Sequence, residues 1–132
     1  MRNLLILTWV AVSLFIVQPL LASTNICALG SRAASMSEAQ IEALYEREIE
    51  GRLLTGQGKV VSVISTSGEG TDGKYEVKIA CSQGVMVTLQ TNGFWIERFN
   101  AKKGSAVSFT GECFQIYKSM GTVYCVVRAT IR

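Results

Sequence analysis

The chain has 132 residues, 13 Lys/Arg against 10 Asp/Glu for a net charge of +3, four cysteines, one proline and no histidine. That length suits a single domain, and so small a positive excess gives little electrostatic capture of nucleic acid or of an anionic lipid surface. The lack of histidine removes the usual base for a serine or cysteine nucleophile and the commonest metal ligand.

Met1-Arg2-Asn3 is followed by an apolar run from Leu4 to Val17, then by Gln18-Pro19-Leu20-Leu21-Ala22-Ser23. A basic tip, an apolar stretch and a helix breaker before small residues form the three-part pattern of a secretory signal. The run is shorter than the ~18–20 residues a membrane-spanning helix needs, which favours cleavage over an anchor. Two cut sites fit. One follows Ala22, and the other follows Ala28-Leu29-Gly30 and would remove Cys27. The expected organisation is therefore a signal peptide over residues 1–30, with its cut between 22 and 30, an N-terminal helix over 31–51 and a barrel over 52–132. The product is expected in the periplasm or secreted, with no span left after removal of the signal.

The helix has clear start signals. Ser37-Glu38-Ala39-Gln40 is a capping box, and Met36 and Ile41 are spaced as a hydrophobic staple across it. Ile41, Leu44, Tyr45 and Ile49 share one face, and Gly51 is the expected stop. Residues 38–50 carry five glutamates and one arginine, whereas the chain from Gly51 onward carries ten Lys/Arg and five Asp/Glu.

After Gly51 the apolar period changes to two. Strands are expected over 52–65, with Gly56 and Gly58 allowing a bend, then over 74–81 and 85–90, each alternating. Ser65 to Gly73 is turn-rich, and the connector from Phe94 to Lys103, irregular or briefly helical, carries Trp95, Ile96 and Phe99. A fourth strand over 105–117 and a Ser119-Met120-Gly121 turn lead into the last strand, Thr122 to Ile131. The fold class expected is mainly β: a five-stranded OB-type barrel preceded by one short amphipathic helix.

Three motifs carry the resemblance: Ser37 to Gln40, Gly58-Lys59-Val60-Val61-Ser62-Val63, and Lys103-Gly104-Ser105-Ala106-Val107-Ser108-Phe109-Thr110-Gly111. Together they make residues 36–132 resemble the bacterial exported OB-fold proteins of the tRNA-anticodon-like group. The resemblance implies an exported OB domain, with glycine and valine as fold markers and no catalytic residue.

Cys81, Cys113 and Cys125 are in phase with the apolar faces of their strands, so all three are expected inside. Cys113 and Cys125 lie on the two arms of the last hairpin, opposite or one diagonal step apart. An oxidising compartment favours a bridge between them, leaving Cys81 free; Cys27–Cys81 is the alternative if Cys27 is retained. No cofactor and no metal site is expected, there being no CxxC pair. Gly68-Glu69-Gly70-Thr71-Asp72-Gly73 matches GxGxxG but joins strand to strand, with no helix after it to receive phosphate. The candidate binding residues are Glu69 and Asp72 in that loop, with Lys74, Lys78, Thr88 and Gln90 on the wet face of the second and third strands. That face carries no aromatic on which a base could stack, which argues against nucleic acid. The expectation is a non-enzymatic exported module binding a protein, peptide or glycan. Two other readings stand beside it: an oligomeric glycan-binding subunit of a secreted toxin, and a structural component of an envelope or secretion assembly.

Overall fold

The computed structural model describes residues 25–82 and 84–131. Among these residues three α-helices, α1 (Ile26–Ala33), α2 (Glu38–Leu44) and α3 (Gly93–Arg98), accompany five strands. These are β1 (Leu53–Ser67), β2 (Lys74–Ser82), β3 (Val85–Asn92), β4 (Ala106–Ser119) and β5 (Thr122–Ile131). The strands close on themselves in the order β1-β2-β3-β5-β4. Every pairing is antiparallel except β3 with β5, which run parallel.

Alternation explains the core. Val77 and Ile79, Val85, Val87 and Leu89, Val107 and Phe109, and Val123, Val127 and Ile131 are buried, while the described residues next to them in sequence are half-buried or exposed. Fully burying an aliphatic side chain of this kind contributes about 1.5–3 kcal/mol. Gly56 is required where β1 crosses this core: a Cβ there would collide with the Phe109 ring and with Ile26.

The capping box at α2 forms as its sequence predicts. Ser37 Oγ accepts from the Gln40 N–H at 3.3 Å, and Gln40 Oε1 accepts from the Ser37 N–H at 2.8 Å. Met36 packs against the core cluster to which buried Ile41 belongs. The helix continues into a π-helical turn, Tyr45–Ile49, and Gly51 stops it at φ +71°.

Helix α1 is not foreseen by the sequence reading, which allots residues up to 30 to a leader. Most of that leader lies outside the described residues, but Ile26–Gly30 are built into the domain. Asn25 caps α1, its Oδ1 accepting from the Cys27 and Ala28 N–H groups. Ile26, Leu29 and Ala33 are buried, and α1 touches all five strands, closing one end of the sheet. Further ties hold it there. Arg32 grips Glu48 through two hydrogen bonds of 3.1 Å, and Lys118 Nζ donates to the Ala34 and Met36 carbonyls.

The cysteine pairing also differs from the expected one. Cys27 is joined to Cys81, whereas Cys113 and Cys125 are buried free thiols. A bulge at Phe114 explains why the hairpin cysteines do not face each other: Cys113 is opposite Val127, and Cys125 is opposite Ile116. The Cys113 thiol donates instead to the Gln115 carbonyl at 3.3 Å. Cys81 lies beside an irregularity of β2 and is only half-buried, which leaves its sulfur accessible to Cys27 on α1.

Candidate functional site

The wet face is assembled by register. Across β2 and β3, Lys74 lies opposite Asn92, Glu76 opposite Gln90, and Lys78 opposite Thr88. The parallel pairing extends these rows onto β5, setting Gln90 beside Arg128 and Thr88 beside Val126. Glu76, Gln90 and Arg128 therefore form one row over three adjacent strands, whose neighbours stand about 4.8 Å apart.

A groove of about 580 Å³ runs along this row near the α3 end. Lys74, Glu76, Gln90, Asn92, Trp95 and Arg128 line it, together with Tyr75 and three threonines, Thr66, Thr91 and Thr130. Trp95 is brought there by α3, whose first turn is capped by Asn92: its Oδ1 accepts from the Trp95 N–H at 3.3 Å. The indole stacks on Phe99 and meets Phe94 edge-on. Gly93 lets α3 approach the one-turn 3-10 helix at Gly70–Asp72, because a Cβ at 93 would strike the Gly70 carbonyl.

Among the described residues the ion pairs are Arg32–Glu48 and Arg47–Glu48, so Lys74, Glu76 and Arg128 line the groove without one. The Arg128 guanidinium rests 5.5 Å from the centre of the Phe114 ring. Thr91 Oγ1 is buried with no hydrogen-bond partner.

Of the residues expected from sequence, the groove brings together Lys74 and Gln90. Lys78 and Thr88 face each other one row away and do not line it. Glu69 and Asp72 are exposed on the β1–β2 loop, also outside the lining. Glu76 belongs to the wet face that the alternation of the second strand predicts, whereas Trp95 and Arg128 were not among the candidate residues. Arg128 could be found only from the strand order, since β5 joins β3 through a pairing remote in sequence. Trp95 could be found only once the connector is known to be a helix docked at the strand ends.

A larger groove of about 750 Å³ flanks the Cys27–Cys81 bridge. Its walls are mostly small residues, including Ala28, Gly58, Ala80 and Ala106, and Lys59 is its one charged side chain. A third, of about 220 Å³, lies between α2 and β4 beside Tyr45 and Phe114. The larger groove has no aromatic wall, and the third, which gathers Glu42, Glu46, Gln115, Tyr45 and Phe114, is less than half the volume of the β2–β3–β5 groove and carries no cation.

Among the described residues no helix is long and apolar enough to cross a membrane, and no group of three or more acidic or cysteine side chains could hold a metal ion. No protein-family model, curated protein or solved structure matches the chain.

Proposed function

We propose that the chain is an exported, non-enzymatic binding module of the OB type, and that it takes its ligand in the β2–β3–β5 groove. The observation that carries this reading is the convergence of Lys74, Glu76, Gln90, Trp95 and Arg128 in one groove of ligand size. The OB assignment is supported by the strand order β1-β2-β3-β5-β4 and by the position of α3 between β3 and β4. Export is supported by the leader pattern of residues 1–22 and by a disulfide, a bond that persists in oxidising compartments. The position of α1 favours a cut after Ala22, because a cut after Gly30 would strip Ile26, Cys27 and Leu29 from the fold. The absence of histidine from the whole chain favours binding over turnover.

The site is tested by titrating the labelled mature protein with solubilised cell-envelope extract and following backbone amide shifts. The reading expects shifts at Lys74, Glu76, Gln90 and Arg128. Shifts confined to Gln57, Lys59 and Ser108 in the larger groove, or none at all, would overturn it.

A further inference from the structure

We infer that the ligand of the β2–β3–β5 groove is a hydroxyl-rich saccharide without a large net charge; this rests on the groove being the binding site. The three residues of the central row differ in hydrogen-bonding character in a graded way. Ionised Glu76 only accepts, the Gln90 amide both donates and accepts, and Arg128 only donates. A chain of hydroxyls, each a donor and an acceptor, can satisfy all three at once. A ligand carrying only acceptors would leave the Glu76 carboxylate unpaired against it.

The charge balance points the same way. Lys74 and Arg128 are offset by Glu76 inside the groove and by Glu112, which lies opposite Arg128 on β4. The lining itself carries two cations and one anion, and with Glu112 beside it the attraction for a polyanion is small. A peptide would bind either by adding a strand to a free edge or by filling apolar pockets. This groove lies on the face of paired strands: β2 and β3 pair with each other, and each also pairs on its far side, with β1 and β5. Its aromatic wall comes from Trp95, half-buried and held by Phe94 and Phe99, so one rigid apolar surface faces a row of polar groups. Such a pairing suits a ring with one apolar face and a polar rim. Arg128 is steadied by Phe114 and Trp95 by its two ring neighbours, which lowers the ordering cost of binding.

The test titrates the labelled mature protein separately with an N-acetylglucosamine trimer, a linear glucose oligomer, an acidic peptide and a thymidine oligonucleotide. At least one saccharide is expected to shift Glu76, Gln90, Arg128 and the Trp95 indole N–H. Gln90→Ala is expected to weaken that binding at least tenfold with an unchanged melting temperature; Trp95→Leu should do the same if it remains folded, as Gln90→Ala checks independently. Shifts at this groove with the peptide or the oligonucleotide but with neither saccharide would overturn the saccharide and leave the groove standing. A groove silent to all four probes overturns the saccharide inference, and silence to envelope extract as well removes the groove with it.

Discussion

Gly93 and the two buried thiols show how single residues set the geometry of this domain. A methyl group at 93 would meet the Gly70 carbonyl, so Gly93→Ala must push the β1–β2 loop away from α3. The expected cost is about 1–3 kcal/mol, as for other overpacked sites, measurable by urea denaturation. Backbone shifts should concentrate at residues 69–73 and at Trp95. The neighbouring Cys113 thiol and burial hold Cys125 above the ordinary thiol range. Both thiols are fully buried and should on that account resist iodoacetamide in the folded protein and react fully in denaturant; rapid labelling under native conditions would contradict their burial. Their lack of a bond was not legible in the sequence, because one extra residue at Phe114 decides the register. Up to Cys113 the alternation of β4 reads correctly, with Val107, Phe109, Gly111 and Cys113 all buried. Past the bulge the phase slips, and no composition signal marks the slip.

At the scale of elements, the parts that could be read were those specified by local chemistry. The capping box of α2, the glycine stop at 51 and the Ser119-Met120-Gly121 turn all form, and β5 spans Thr122–Ile131 as its alternation predicts. Helix α1 was not legible, since its apolar residues follow closely on the apolar N-terminal run whose pattern reads as a leader. Yet it is held at one end of the sheet by burial, by the disulfide and by the Arg32–Glu48 pair. Ile26→Ala should cost about 2–5 kcal/mol, the range for a large-to-small change in a core. The ion pair is partly exposed and contributes less, below about 1 kcal/mol. The hydrogen bond from Arg32 holds the Glu48 carboxyl below its usual range. A depressed carboxylate stabilises the fold above its unfolded value, and that contribution fades as pH falls through the folded value. Arg32→Met should accordingly lower the melting temperature at pH 7, and by less at pH 2. An equal effect at both values would show that Arg32 acts through packing.

For the whole molecule, the fold was more legible than the site. Strand number, strand order of appearance and the connector position follow from alternation and turn residues. The groove depends on which strands become neighbours, and Arg128 reaches Gln90 only through the parallel pairing of β3 with β5. Lys74 and Gln90 could be picked because β2 and β3 are consecutive. The same long-range closure makes the Cys27–Cys81 bridge effective, because it spans 54 residues and ties the first helix to the second strand. Constraining a loop of that length in the unfolded chain stabilises the fold by about 4 kcal/mol, so reduction should lower stability by a comparable amount in denaturant titrations. If the domain is exported as proposed, it begins ahead of Cys27 and closes its disulfide in an oxidising compartment. Peptide mapping of the protein recovered from outside the cytoplasm, under non-reducing conditions, tests this most directly. The predicted result is an N-terminus at Ser23, a Cys27–Cys81 linked peptide, and free Cys113 and Cys125. An N-terminus at Ser31, or a Cys113–Cys125 peptide with Cys81 free, would contradict it.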